Sequence, residues 1–159
     1  MPPAVELREV VDADLPLFFE QQRDPAYVHM AAFTHEDPSD RAAFLAHWAR
    51  IRANASVVTR TILGEGEVVG NVASWVQGSE RHVTYGIARE HWGKGLASSA
   101  LRQFLTVVQE RPLFAAAAAD NAGSLRVLAR CGFVVTDNAT GFANARRQEI
   151  AEVILRLDA

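Results

Sequence analysis

Between residues 57 and 87 three apolar, β-branched runs follow one another with only short, glycine-bearing breaks between them. The first is Val57-Val58-Thr59-Arg60-Thr61-Ile62-Leu63. The turn Gly64-Glu65-Gly66-Glu67 leads into the second, residues 68–76, and Gln77-Gly78-Ser79-Glu80 leads into the third, residues 81–87. Strands joined by breaks this short must run antiparallel, because a parallel crossover needs about a dozen residues or more. The pattern predicts a three-stranded meander. Its third strand leads into Arg89-Glu90-His91-Trp92-Gly93-Lys94-Gly95, and an alanine- and leucine-rich helical run starts at Leu96. A glycine turn at a strand-to-helix junction presents free backbone N–H groups with the positive end of the helix dipole behind them, which stabilises a phosphate or pyrophosphate.

The elements around this unit follow from local signals. Val5 and Leu7, extending towards Glu9-Val10, alternate as an opening strand, and Asp12-Ala13-Asp14 marks the start of a first helix reaching about Gln22. Asp24-Pro25 breaks that helix, and the stretch through Thr34-His35 has no clean period and reads as irregular or a short helical turn. Asp37-Pro38-Ser39-Asp40 reads as a cap followed by a first-turn proline, ahead of Phe44, Trp48 and Ile51 at helical spacing. The helix from Leu96 should reach about Glu110, with Leu101, Phe104, Leu105 and Val108 on one face, and Arg111-Pro112 ends it. The run 113–119, Leu-Phe followed by five alanines, has helical composition but is confined between Pro112 and Asp120-Asn121. It is too short for an independent helix and reads as a strand whose small side chains leave room for a ligand. A helix from Ser124 to Arg130, closed by Gly132, precedes two last strands, 133–136 and 149–157, separated by a polar loop over 137–146. The order β-α-α-β-β-β-α-β-α-β-β predicts an α+β fold with a mixed, mostly antiparallel central sheet flanked by helices.

Composition removes several function classes. With 159 residues the chain is expected to be one domain, residues 1–159, large enough to bury a core without disulfides or metals. A net charge of −3 with scattered arginines argues against nucleic acid as a partner. No basic segment leads into an apolar one at the start and no apolar run is long enough to span a bilayer, so a cytoplasmic protein with no membrane partner is expected. Cys131 is the only cysteine, which leaves no disulfide framework or thiolate cluster for a metal. Gly93-Lys94-Gly95 imitates a dinucleotide-binding fingerprint, but Ser98 stands where its third glycine belongs and hairpins replace the βαβ unit. A Walker A loop fails as well, since Gly95 follows Lys94 where Ser or Thr is required.

On these residues the chain resembles the GNAT superfamily of acyl-CoA-dependent N-acetyltransferases. The family signature Q/R-x-x-G-x-G/A maps onto Trp92-Gly93-Lys94-Gly95-Leu96-Ala97. Trp92 in the first position is similar to the branch of the RimJ/RimL ribosomal-protein alanine acetyltransferases. A second family element, N-x-x-S followed by G-F, maps onto Asn121, Ser124 and Gly132-Phe133. The resemblance runs over nearly the whole chain, from the L-R pair Leu7-Arg8 onward. It implies acetyl-CoA as co-substrate, with its pyrophosphate on the backbone of Gly93, Lys94, Gly95, Leu96, Ala97 and Ser98. Pantetheine would run along the strand end at Tyr85, Ile87 and Ala88, in a gap where that strand splays from the next. An amine, either a protein N-terminus or a small molecule, attacks the thioester directly in a ternary complex, so no metal and no covalent enzyme intermediate are implied. Relatives often pair through their last strands, which makes a homodimer a further expectation.

Roles then fall to particular residues. Asn121 is a helix N-cap by position, worth about 1 kcal/mol, and a cofactor contact by resemblance. Ser124 is placed near the thioester sulfur as a proton donor, and Ile87 supplies an oxyanion-binding N–H. Many relatives carry a tyrosine acid four residues before the G-F pair; here Leu128 stands there, which leaves Ser124, Tyr85 or water. The general base is sought on the strand before the glycine turn, at Glu80 or His82. His82 has the better intrinsic pKa, about 6.5. His29, His35 and Glu36 are further candidates, whereas His47 and His91 read as surface positions. Arg130 is a candidate for the cofactor's 3′-phosphate, and Arg126 reads as solvated. A catalytically silent acyl-CoA sensor is the alternative function.

Overall fold

The computed structural model of the chain describes residues 4–32 and 37–159. The meander forms as its sequence predicts: β2 (Val58–Gly64), β3 (Glu67–Gln77) and β4 (Glu80–Ile87) pair antiparallel in sequence order. An opening strand β1 (Val5–Arg8) adds antiparallel to the outer edge of β2. On the other side of β4 lie β5 (Leu113–Ala118), β7 (Gln148–Leu157) and β6 (Val134–Ala143), giving one seven-stranded sheet in the order β1-β2-β3-β4-β5-β7-β6. Only the β4–β5 pair is parallel, so the sheet is mixed and mostly antiparallel.

Helices cover both faces. Against one lie α1 (Leu15–Arg23), α2 (Pro25–Ala31) and α3 (Arg41–Ala53), where Phe18 stacks on Trp48 with centroids 5.3 Å apart and Phe19 and Phe44 close a small aromatic core. Against the other lie α4 (Leu96–Val107) and α5 (Ala122–Arg130). Their apolar stripes, including Leu101, Phe104 and Leu128, enter a larger core with Ile62, Val72, Leu113 and Leu155 from across the sheet's width. Burying side chains of this size contributes about 1.5–3 kcal/mol each, which makes this layer the part of the molecule that holds the strands in place.

Several boundaries differ from the sequence expectation, each for a local reason. Residues 25–31, expected as irregular or a short helical turn, form a helix of seven residues. Asp24 is an N-cap as well as a break, with Oδ1 accepting from the Ala26 N–H at 2.9 Å, and Pro25 occupies the first turn. Asp40, not Asp37, caps α3 by accepting from the Ala43 N–H at 3.0 Å, while Asp37 bonds Ser39 in a turn of its own. Helix α1 begins at Leu15 behind a 3-10 turn over Asp12–Asp14, and α4 ends at Val107 instead of near 110. Asn121 caps α5 as expected, accepting from the Ser124 N–H at 3.2 Å, and the helix itself begins at Ala122, two residues before Ser124. The span 137–143, expected as loop, continues β6 in register with β7. It is an edge strand exposed along most of its length, so it needs no apolar alternation to pair. The alanine-rich run is a strand, as expected.

Candidate functional site

The site begins where β4 and β5 part. Their parallel pairing covers only Arg81↔Leu113 and His82↔Phe114, and from Val83 onward β4 has no partner on that side. The antiparallel ladder on the other side decides which amides this exposes. The Ala88 N–H donates to Val69 C=O at 2.8 Å, so Ala88 and every second residue before it bond β3, and the intervening residues, Tyr85 and Ile87, turn their N–H groups into the split. The Ile87 carbonyl is claimed by the Trp92 indole, whose Nε1 donates to it at 2.6 Å and ties the glycine turn to the strand end.

Beyond that tie, Gly93 and Gly95 both have positive φ, +79° and +78°. An L side chain there would be strained although nothing crowds it. Gly95 is the N-cap of α4 and offers no side-chain acceptor; the first helical bond is Ser99 N–H to Gly95 C=O, leaving the amides of Leu96, Ala97 and Ser98 unclaimed. The Ser98 hydroxyl is buried with no partner among the described residues. Free amides, a helix N-terminus and an orphaned hydroxyl bordering one cavity fit a pyrophosphate, which would satisfy all of them. That cavity, about 560 Å³, runs from the glycine turn along β4 to α5, with His91, Arg126 and Arg130 among its walls.

At the inner end of the cavity the Tyr85 and Ser124 hydroxyls lie 2.9 Å apart, and either can donate. Burial pushes the Tyr85 phenol up to about 12 despite that bond, so it remains an O–H across the physiological range. A second cavity of about 510 Å³ opens on the far side of this pair, between α1, α2 and the alanine face of β5. Tyr27, Ala31, Tyr85, Asn121 and Ser124 border both spaces. Helix α2 is pinned over the junction: Asn121 Nδ2 donates to Met30 C=O at 3.2 Å, Arg146 Nε donates to His29 C=O at 3.0 Å, and Arg89 pairs with Asp24 at 3.2 Å.

A family model described as the acetyltransferase (GNAT) domain matches residues 4–134. The chain belongs to the GNAT acetyltransferase family. A search of the curated protein sequences finds no match. Solved structures with the same fold include Mycobacterium smegmatis RimJ in complex with CoA-disulfide, 22% identical over 98% of this chain and 82% of that one, with a TM-score of 0.81. Spermidine N-acetyltransferase from Vibrio cholerae in complex with CoA and spermine is 18% identical over 96% and 95% of the two chains, with a TM-score of 0.78. Ribosomal-protein-alanine N-acetyltransferase from Brucella melitensis is 19% identical over 97% and 99%, with a TM-score of 0.75.

Within this GNAT fold the residues singled out from sequence separate into groups. Ile87, Trp92, Gly93, Gly95, Leu96, Ala97, Ser98, Asn121, Ser124 and Arg130 all line the first cavity, and Tyr85 joins them. Ala88 spends its N–H on Val69, and Lys94 is exposed and outside the cavity wall. His82 is not brought to the site. It stacks on Trp75 at 5.6 Å, tilts against Phe114 at 5.7 Å and stands 3.7 Å from Glu80, at the closed end of the β4–β5 split and outside both cavities. His29 is exposed on α2, and His35 and Glu36 lie outside the described residues. Leu128 is buried and borders the second cavity in the position where many relatives carry tyrosine. The sequence does not single out Tyr27 and Met30, which a segment without a clear period leaves unplaced, or Glu152, which enters the second cavity from β7.

Proposed function

We propose that this chain transfers an acetyl group from acetyl-CoA to a primary amine by direct attack in a ternary complex, the donor in the cavity along β4 and α4 and the acceptor in the cavity under α2. The observation that carries this reading is the Tyr85–Ser124 hydroxyl pair, which stands where the two cavities meet. Bound there, acetyl-CoA supplies a thioester for the amine to attack. The α4 amides and Ser98 hold its pyrophosphate, with Arg126 and Arg130 bringing positive charge to the same wall. The N–H of Ile87 faces the split and is available to the oxyanion. The departing thiolate needs a proton, and Ser124 can give one while Tyr85 donates to Ser124 in turn. The absence of a tyrosine at Leu128 therefore does not leave the leaving group unattended, which favours an active enzyme over an acyl-CoA sensor. Ribosomal-protein N-termini and small amines both fit the acceptor class.

The test is calorimetry with acetyl-CoA, followed by thiol release over a panel of amines and peptides with free N-termini. Tyr85→Phe and Ser124→Ala should each slow release by about 10²-fold or more while acetyl-CoA affinity stays within about threefold. No acetyl-CoA binding by the native chain would sink the reading. Tight binding with a uniformly silent panel would turn it towards the sensor.

A further inference from the structure

The second cavity combines a small apolar floor with the neutral polar side chains of Gln22, Tyr27, Thr84, Tyr85, Asn121 and Ser124. Ala116 and Ala118 of β5 form its floor with Trp75 beside them, and Glu152 is the one formally charged side chain among its described lining residues. Glu152 reaches the cavity because β7 pairs antiparallel with β5, which sets it directly opposite Ala118. On that face of β7 its neighbours two residues away in either direction are Ile150 and Ile154, so a carboxylate interrupts an apolar row. It is half-buried, and its side chain makes no hydrogen bond or ion pair with another described residue. Withdrawing a carboxylate from water without a partner is unfavourable, and an aliphatic residue would continue the row at no such cost.

We propose that Glu152 is the seat for the acceptor's ammonium group, and that the acceptor is a primary amine carrying its positive charge beside a slender apolar body. The inference rests on the acetyl-transfer reading above and narrows its substrate class. The alanine floor admits width only because its side chains are methyl groups, and Trp75 gives an aliphatic or aromatic chain a flat surface to lie on. A second cation on the acceptor would meet no further anion among the described residues of this wall. Burial pushes the Glu152 pKa above the usual carboxylate value, which also suits a group that takes a proton. The transfer is simple: the carboxylate accepts one N–H proton from the ammonium, leaving a neutral carboxylic acid and an amine whose lone pair can attack the thioester.

Simple ammonium ions stand in for the natural acceptor in the test. Butylammonium and phenethylammonium are titrated by calorimetry into the native chain, with and without saturating CoA, beside butanol and phenethyl alcohol as uncharged counterparts. The ammonium ions should bind at least about tenfold more tightly than the alcohols, the size expected for a charge-assisted contact. Glu152→Gln, which keeps shape and removes charge, should abolish that preference; Glu152→Asp should retain part of it, and CoA affinity should be unchanged in both. Equal binding of ammonium and alcohol, no ammonium binding at all, or an unaltered preference in Glu152→Gln would each overturn the proposal. Failure of CoA to bind is a separate result that bears on the donor site, and the titration without CoA still decides the case of Glu152.

Discussion

Asp14 shows what a single side chain does for this scaffold. It is 2% exposed, and its carboxylate accepts from Arg8 Nη1 at 2.7 Å, Arg8 Nη2 at 2.8 Å, Val11 N–H at 3.0 Å and Thr61 Oγ at 2.6 Å. Arg8 and Thr61 face each other across β1 and β2, so this carboxylate ties the start of α1 to the outer strands. The bond from Arg8 is the largest cause that lowers its pKa from 3.8 to about 2. Because the folded value lies below the unfolded one, the stabilisation is fully present above about pH 4 and is lost as pH falls towards 2. Arg8 is partly exposed, so solvent trims the gain to about 1–2 kcal/mol. Asp14→Asn should lose that amount by urea unfolding at neutral pH, and its deficit should shrink as the medium is acidified below about pH 4. A deficit that stays constant down to about pH 2.5 would show that the carboxylate's charge is not the cause.

At the scale of elements, α2 separates what the sequence could show from what it could not. The meander and the glycine turn were legible because β-branched runs, short turns and positive-φ glycines are local signals, and β5 followed from its confinement between Pro112 and Asp120. Helix α2 shows in the sequence only as a short helical turn set against an irregular segment, because Asp24-Pro25 carries two meanings, a break for the preceding helix and a cap for the next, and a helix of seven residues has too few positions to show a period. The long β6 was missed because a strand exposed at an edge does not need to alternate. Glu152 left a signal, a carboxylate between Ile150 and Ile154 at strand spacing, but its meaning depends on the register of β7 against β5. The contact that seats α2 is equally nonlocal. A Cβ added at Gly86 would lie 2.0 Å from Tyr27 Oη and 3.2 Å from Gln21 Nε2, so only glycine lets α2 approach β4 this closely. Gly86→Ala should therefore lift α2 from the sheet: amide exchange over Pro25–Ala31 should rise by about tenfold or more while exchange in the large core is unchanged. Unaltered exchange in α2 would mean that Tyr27 swings aside and the helix stays seated.

Across the whole molecule, the sheet is two blocks, β1 to β4 and β5 to β6, hydrogen-bonded to each other only at Arg81↔Leu113 and His82↔Phe114. The core beneath α4 and α5 spans both blocks, with Val72 and Val83 from one and Leu113 and Leu155 from the other, so the join is carried by packing more than by the ladder. The upper half of the join is open, and its free amides at Tyr85 and Ile87 are the ones a strand-like ligand would take up. A donor lying in the split would act as a missing strand, bonding the amides that β5 leaves without a ladder partner and bridging the two blocks. Ligand that binds only the folded state adds about 2.7 kcal/mol at a hundredfold excess over its Kd, which for a chain of this size raises the thermal midpoint by roughly 5–10 °C. Acetyl-CoA should produce that shift and NAD should not. The location of the gain is the sharper check, because amide exchange on loading should slow at Tyr85 and Ile87 and leave the Ala88 N–H, already bonded to Val69, as it was. A midpoint that rises while those two amides exchange unaltered would place the donor somewhere other than the split.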